Sequence, residues 1–199
     1  MNNKNKTNIL TNKIPKMAKL KHVFLIFILT ISLTNISFGQ AENKAVEVSN
    51  AEKFSDKTGA LMKKEFSDIG EIKRCKIQIA KFTDLITDQK NIAVRFEYNY
   101  VSTYSSDSKI ALLDVDEIDG LIQSLNLIQE KVLPTSTKNY TEVSYRSRSG
   151  FEAGCFSKKD SWSIYLKLER YDGDSYVFLN KDDLPKLLDL ISVAKSNLQ

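Results

Sequence analysis

Apolar and polar residues alternate near the C-terminal end of the chain. Apolar side chains occupy every second position from Trp162 to Leu168, and mostly polar ones lie between them. This period of two predicts a strand with one buried and one outward face. Asp172-Gly173 favours a tight type I′ turn. That turn would set Leu168 opposite Val177 and Leu166 opposite Leu179 on a returning strand over residues 175–179.

After Asn180 the apolar period changes from two to between three and four. Apolar residues then recur on one side of a helix, at Leu184, Leu187, Leu188, Ile191 and Ala194. We expect Asp182 to be its N-cap, because Pro185 then lies in the first turn, where its missing N–H is not needed.

The same succession of patterns occurs earlier in the chain. A strand pattern over 92–100 and a return strand over 110–113 precede apolar residues with helical spacing, at Ile118, Leu121, Ile122, Leu125 and Ile128. A constant offset of 66 residues relates this return strand and helix to the later ones. We therefore predict an α+β fold of two ββββα repeats, with antiparallel sheets that are each followed by a helix. Repeat 1 would span residues 60–133 and repeat 2 residues 140–199, within one globular domain over 54–199.

The N-terminal residues have the composition of an export signal. Lys19 and Lys21 precede an apolar run over 23–29, and the segment ends with small residues before Gln40. We expect cleavage after Gly39, translation from Met1 or Met17, and a flexible tether over 40–53. The protein would then be periplasmic or secreted, without stable membrane insertion, since the run is shorter than the about 20 residues of a membrane span.

Removal of residues 1–39 changes the charge. Six of the 29 basic residues lie there and none of the 25 acidic ones, so 23 basic and 25 acidic residues remain, a net charge of minus two. The only histidine, His22, is lost as well. The mature chain therefore cannot use a Ser-His-Asp or Cys-His nucleophile. It also lacks Gly-rich phosphate loops and CxxC motifs, so we expect no cofactor, no metal and no catalytic residue.

Two cysteines remain, Cys75 and Cys155. In an oxidising compartment they could form one disulfide. Each also lies in an apolar strand pattern, where cysteine is a common small buried residue. The sequence leaves both alternatives open.

Two acidic clusters invite a cation-binding interpretation, namely residues 114–119 and residues 172–183. The first does not fit an EF-hand loop, because Leu125 stands where the bidentate glutamate belongs. We interpret both clusters as helix caps and turn residues.

A candidate ligand surface combines aromatic and basic residues. It consists of Tyr145, Arg146, Arg148, Tyr165, Tyr176 and Phe178. Aromatic faces and arginine forks suit a carbohydrate, a peptide or an anion. The alternative is that this surface packs against the other repeat.

Residues 116–121, 139–142, 175–179 and 183–185 together resemble a family of small, uncharacterised exported bacterial proteins. That resemblance implies export but no activity. The predicted duplication is also similar in topology to the Whirly and PUR nucleic-acid-binding folds.

We expect a non-catalytic binding protein with an unknown ligand or protein partner. Because the mature chain is acidic, we expect no nucleic-acid partner. The alternatives are a hydrolase that uses paired carboxylates and a Whirly- or PUR-like binder of single-stranded nucleic acid.

Overall fold

The computed structural model describes residues 47–103 and 106–198. Helix α1 (Asn50–Ser55) comes first. The first sheet contains β1 (Met62–Ile72), β2 (Cys75–Asp84), β3 (Lys90–Val101) and β4 (Ser106–Asp114). It is followed by α2 (Ile118–Leu127), which continues as a π-helical turn (Ile128–Val132). The second sheet contains β5 (Thr141–Arg146), β6 (Glu152–Lys158), β7 (Ser161–Lys167) and β8 (Tyr176–Leu179), and α3 (Asp183–Ser196) ends the chain.

Each sheet is an antiparallel meander in sequence order, β1-β2-β3-β4 and β5-β6-β7-β8. The predicted pair of ββββα repeats is confirmed. Pro134 lies directly beyond the end of the π-helical turn, as expected for a residue that cannot continue a helix. No helix among the residues described is long and apolar enough to cross a membrane.

Each helix packs on the sheet of the other repeat. Helix α3 lies against β1 and β2, and α2 lies against β5 and β6. Gly70 of β1 marks one contact, since a Cβ there would lie 2.5 Å from Leu190 Cδ2 of α3. Tyr145 of β5 marks the other, because its hydroxyl donates to the Glu117 carbonyl 3.0 Å away, just before α2. The two repeats are therefore interlocked by exchanged helices.

One hydrophobic core joins both repeats. It contains the inner faces of both sheets and the apolar faces of α2 and α3. Phe96 of β3 and Phe151, just before β6, meet at its centre with ring centroids 4.8 Å apart. Cys75 and Cys155 are free thiols in this core. Burial raises the thiol pKa of Cys75 to about 12 and that of Cys155 to about 11.

The tether prediction is wrong for residues 50–53, which belong to α1. Ser49 caps this helix by accepting from the Glu52 N–H at 3.0 Å, and Ala51 is fully buried. The Asp114 carboxylate also accepts from the backbone N–H groups of Asn50 and Ala51, at 2.7 and 2.9 Å. A long-range contact therefore holds a helix that has no apolar period of its own.

The predicted β7–β8 turn is also wrong. Leu166 pairs with Val177 and Ile164 with Leu179, two residues away from the expected register. Asp172 instead caps a short 3₁₀ helix (Gly173–Ser175) by accepting from the Asp174 N–H at 2.8 Å. A shift of two residues keeps every side chain on its predicted face.

The acidic clusters serve as caps and ion-pair partners. The Glu117 carboxylate accepts from the Asp114 N–H at 2.9 Å, and Asp183 accepts from the Asn180 N–H at 2.8 Å. Asp182 occupies the N-cap position of α3, but its side chain makes no cap hydrogen bond. The described residues contain no group of three or more His, Cys, Asp or Glu side chains suited to a metal ion.

Candidate functional site

The outer face of the second sheet carries a continuous row of aromatic rings, which we call the aromatic ladder. Its members are Tyr140, Phe156, Tyr165, Tyr176 and Phe178. Successive ring centroids lie 5.4 to 6.2 Å apart, and the Tyr176 and Phe178 rings are stacked within 7° of parallel. Tyr140 and Phe178, at the two ends, are 67% and 59% exposed.

Tyr165 is the buried centre of the ladder, with 1% of its surface exposed. Its hydroxyl donates to Glu142 Oε1 of β5 at 2.6 Å, and Glu152 Oε2 of β6 lies 3.5 Å from it. The side chain therefore crosses β6, where its register partner is Gly154. A Cβ at Gly154 would lie 2.5 Å from the Val143 carbonyl oxygen of β5, so β5 and β6 approach too closely there for any side chain at Gly154.

The electrostatics keep Tyr165 protonated. Burial is the main cause that raises the pKa of its hydroxyl far above the ordinary value, and the hydrogen bond to Glu142 adds to it. Glu152 is also paired with Arg146, at 2.8 Å. The two carboxylates on this face thus converge on a tyrosine hydroxyl that acts as a hydrogen-bond donor.

Strand register places four of the six predicted site residues on this face. Arg146 pairs with Glu152, Glu152 with Lys167, and Lys167 with Tyr176, so these side chains point to the same side of the sheet. Arg146 and Tyr176 are two of the predicted residues. Tyr165 and Phe178 form the adjacent pair. The Lys167 amine lies 5.2 Å from the centroid of the Tyr176 ring.

The other two predicted residues lie elsewhere. Tyr145 is on the inner side of β5 against α2, where burial raises its pKa to about 12. Arg148, in the β5–β6 connection, binds the carboxylates of Asp114 and Asp116. Neither residue therefore lies with the other four, because both join the two repeats.

The outer face of the first sheet shows how the two copies differ. The strand pairings identify equivalent positions in the two sheets. In the first sheet, Val94 pairs with Ile79 and Leu113. In the second sheet, Ile164 pairs in the same way with Cys155 and Leu179. The ladder residues Phe156, Tyr165, Tyr176 and Phe178 then correspond to Ala80, Arg95, Ile110 and Leu112.

Helix α1 covers part of the outer face of the first sheet. Ala51 and Phe54 of α1 pack on Ala80, Ala93 and Leu112. Beside the helix, Arg95 pairs with Glu97 at 2.6 Å and lies 4.8 Å from the centroid of the Phe66 ring. One outer face is thus covered by a helix and a charged network, whereas the other carries the ladder.

A cavity of about 330 Å³ adjoins the ladder at its Tyr176–Phe178 end. Its walls also include Lys73 and Arg74, from the β1–β2 turn, and Tyr98 of β3. Lys73 pairs with Asp183 at 3.3 Å. The Arg74 guanidinium donates to the Tyr98 hydroxyl at 3.2 Å and lies 5.6 Å from that ring's centroid.

Sequence reasoning missed Tyr140, Phe156, Lys73 and Arg74. Phe156 lies two positions beyond Gly154 in β6, so alternation along that strand could have found it. Lys73 and Arg74 belong to the first repeat, and no pattern within the second repeat points to them.

A second, larger cavity of about 510 Å³ lies beside β4. Ile110 to Leu112 and the connection over 168–172 line it. Two backbone groups at the outer edge of β4 have side-chain partners there. Glu169 accepts from the Ile110 N–H at 3.3 Å, and Ser149 Oγ lies 3.4 Å from the Leu112 carbonyl oxygen.

Comparisons with models of known families, with curated proteins and with solved structures returned no match to this chain. The resemblances to exported bacterial proteins and to the Whirly and PUR folds therefore stay predictions.

Proposed function

We propose that this protein is a non-catalytic, exported binding protein that holds a saccharide chain on the outer face of its second sheet. The observation that carries the proposal is the aromatic ladder, a row of five rings in contact on one sheet face. Tyrosine and phenylalanine rings provide large, rigid contact surfaces that lose little entropy on binding.

The polar groups around the rings favour a saccharide over a purely apolar partner. Glu142, Ser144 and Ser163 share this face with the rings, and Arg146 and Lys167 add donors. Sugar rings have C–H faces that stack on aromatic rings and hydroxyls that both donate and accept hydrogen bonds. A face that alternates rings with donors and acceptors can satisfy both.

The hydrolase alternative needs two carboxylates that face the ligand across a cleft. Glu142 and Glu152 meet the Tyr165 hydroxyl instead. For this reason we propose binding rather than catalysis.

Single-stranded nucleic acid is a second candidate, because bases also stack on aromatic rows. The observation in its favour is the ladder with Lys167 beside Tyr176. Against it, the phosphates of such a chain have no hydrogen-bond donor for the exposed Glu142 on the same face. This candidate predicts binding of oligo-dT that weakens steeply with salt.

Export is part of the proposal and rests on residues 1–39, which lie outside the described residues. The mature protein should begin at Gln40. N-terminal sequencing of the exported product tests this, and an intact Met1 or Met17 would contradict it.

Binding is tested by calorimetric titration with a panel of soluble neutral and acidic oligosaccharides. Tyr176→Ala/Phe178→Ala should weaken binding about tenfold or more, since central aromatic contacts often contribute about 2 kcal/mol. Leu127→Ala/Val193→Ala is the matched control, because both residues are exposed apolar side chains on the helices. Unchanged affinity in the ladder variant would overturn the assignment of this face.

A further inference from the structure

We infer that the bound saccharide is acidic and that Lys73 and Arg74 bind one of its carboxylates at the Tyr176–Phe178 end of the ladder. This inference rests on the proposed function and adds the chemical class of the ligand. It also assigns a binding role to the first repeat, whose β1–β2 turn supplies both cations.

The cavity beside this end of the ladder combines stacking surface with positive charge. The same 330 Å³ space is lined by Lys73 and Arg74 on one side and by Tyr176 and Phe178 on the other. Lys167 also borders this aromatic pair, with its amine 5.2 Å from the Tyr176 ring centroid. A sugar stacked on the pair would place its substituents close to three cations.

Arg74 is held in position without neutralisation of its charge. The Tyr98 hydroxyl and ring fix its guanidinium, and among the described residues no carboxylate lies within ion-pair distance of it. A fixed guanidinium fork binds a carboxylate through two parallel hydrogen bonds and loses little entropy in doing so. Lys73 differs, because Asp183 already shares its charge.

The β1–β2 turn presents both cations at the tip of a tight hairpin. Ile72 pairs with Cys75, so Lys73 and Arg74 are the two central residues of the hairpin, with φ of 47° and 63°. Such a turn favours Asn-Gly, since side chains in the left-handed region cost stability. Two long cationic residues therefore occupy positions that Asn-Gly would fill with less strain, so replacing them by Asn-Gly removes the charges without disturbing the turn.

The β6–β7 turn offers an internal control. Lys159 and Asp160 adopt the same left-handed geometry, with φ of 53° and 61°. Lys158 pairs with Ser161 at the end of the second sheet opposite the Lys167–Tyr176 pair. This turn has the same backbone strain but lies away from the cation cluster.

The polar groups of the ladder face favour a uronate chain over a phosphate chain, although each carries one negative charge per unit. A phosphate chain offers the exposed Glu142 only acceptor oxygens. A sugar acid can direct a carboxylate to the cations and donate its hydroxyls to Glu142.

The test compares oligouronates with their own methyl esters. The probes are oligogalacturonate, oligomannuronate and oligoglucuronate, each titrated into the full mature chain as the acid and as the ester. At least one acid should bind about tenfold more tightly than its ester, the effect expected of one charge-assisted contact. Lys73→Asn/Arg74→Gly should remove this difference, and Lys159→Asn/Asp160→Gly should keep it.

The outcomes separate the inference from the proposed function. Equal affinity for acid and ester, with binding still lost in Tyr176→Ala/Phe178→Ala, would overturn the acidic ligand and leave the saccharide proposal standing. Tight binding of oligo-dT with no binding of any sugar would overturn both. Urea denaturation of the first variant separates loss of binding from loss of folding, since Asn-Gly suits the turn and the variant should be at least as stable as the parent protein.

Discussion

At the residue scale, Tyr165 and Gly154 form the centre of the ladder. Tyr165 can cross β6 to reach Glu142 only where the adjacent strand carries no side chain, and Gly154 is that position. The proposed ligand face therefore depends on one glycine and one tyrosine that are themselves almost inaccessible.

Gly154→Ala should destabilise the protein by about 1–3 kcal/mol, because its methyl group would lie 2.5 Å from a backbone oxygen and 2.7 Å from Ser144 Cβ. Gly173→Ala is the matched control, since a Cβ there meets nothing within 4 Å. Urea denaturation of both variants measures the difference. Equal free energies of unfolding would contradict the close approach of β5 and β6.

Stability should fall at high pH because of the buried tyrosines. Burial raises the pKa of Tyr145 from 10.0 to about 12, and that of Tyr165 is raised further. The folded state then keeps protons that the unfolded state loses, so the contribution is complete below about pH 10 and is lost as pH rises through the folded pKa. Denaturation at pH 8 to 12 should show this decline. Tyr145→Phe/Tyr165→Phe should reduce it, and the remainder comes from Cys75 and Cys155, whose thiol pKa values are raised by burial to about 12 and about 11.

At the element scale, Asp114 joins four parts of the chain. It ends β4, accepts two backbone N–H groups from α1, binds the Arg148 guanidinium and donates its own N–H to Glu117. A short helix is not stable in isolation, so α1 depends on this carboxylate and on its own few apolar contacts.

Asp114→Asn should cost about 2–3 kcal/mol, because it removes the negative charge of a buried carboxylate that accepts from two backbone N–H groups and pairs with Arg148. Amide hydrogen exchange at Asn50 and Ala51 should accelerate as α1 loosens. Asp116→Asn provides the comparison, since Asp116 binds the same arginine but is exposed, and a surface pair contributes at most about 1 kcal/mol. Similar losses in both variants would contradict the role given to Asp114.

The β1–β2 turn should become more stable when its cations are removed. Lys73→Asn/Arg74→Gly relieves two left-handed side chains that cost about 1–2 kcal/mol each. It loses the Lys73–Asp183 ion pair and the part-buried Arg74–Tyr98 hydrogen bond, which offset part of that gain. We expect a net gain of about 1 kcal/mol by thermal or urea denaturation. A loss of stability would show that Lys73 and Arg74 serve the fold rather than a ligand.

The spacing of hydrophobic residues predicted β3, β7, α2 and α3. A long alternating pattern indicates a strand, and a long pattern with a spacing of three and four indicates a helix. It did not predict α1, whose six residues are held by Asp114 from 63 positions away. Nor did it predict the β7–β8 connection, where the Asp172 carboxylate caps a 3₁₀ turn. Local sequence could not reveal contacts that form only after the chain has folded.

The sequence named part of the candidate site for a related reason. Alternation along each strand gives the sheet face of a side chain without knowledge of its partner on the next strand. It therefore identified Arg146, Tyr165, Tyr176 and Phe178. Tyr145 and Arg148 were misplaced because the exchanged α2 and Asp114 engage them, and the pattern of an amphipathic helix does not say which sheet it will cover.

At the scale of the whole molecule, helix exchange makes the repeats interdependent. Either repeat alone would expose the inner face of its sheet, since the helix that covers it belongs to the other. We expect residues 47–139 and 140–199, expressed separately, to lack a cooperative unfolding transition and to recover one on mixing. A separate fragment with dispersed amide signals and cooperative melting would contradict the exchange.

Duplication also left the two outer sheet faces with different side chains. Both copies retain the same apolar inner positions, yet the equivalents of the ladder rings in the first sheet include Ala80 and Leu112, which pack beneath α1. One outer face thus serves the fold, and the other is available to a ligand.

The most direct test of this account is amide chemical-shift mapping of the mature protein with a bound oligouronate. We predict that the shifted amides lie on β5 to β8 around Phe156, Tyr165, Tyr176 and Phe178, and extend across the cavity to Lys73 and Arg74. Shifts confined to α1 and the outer face of the first sheet, or to the cavity beside β4, would contradict the central claim.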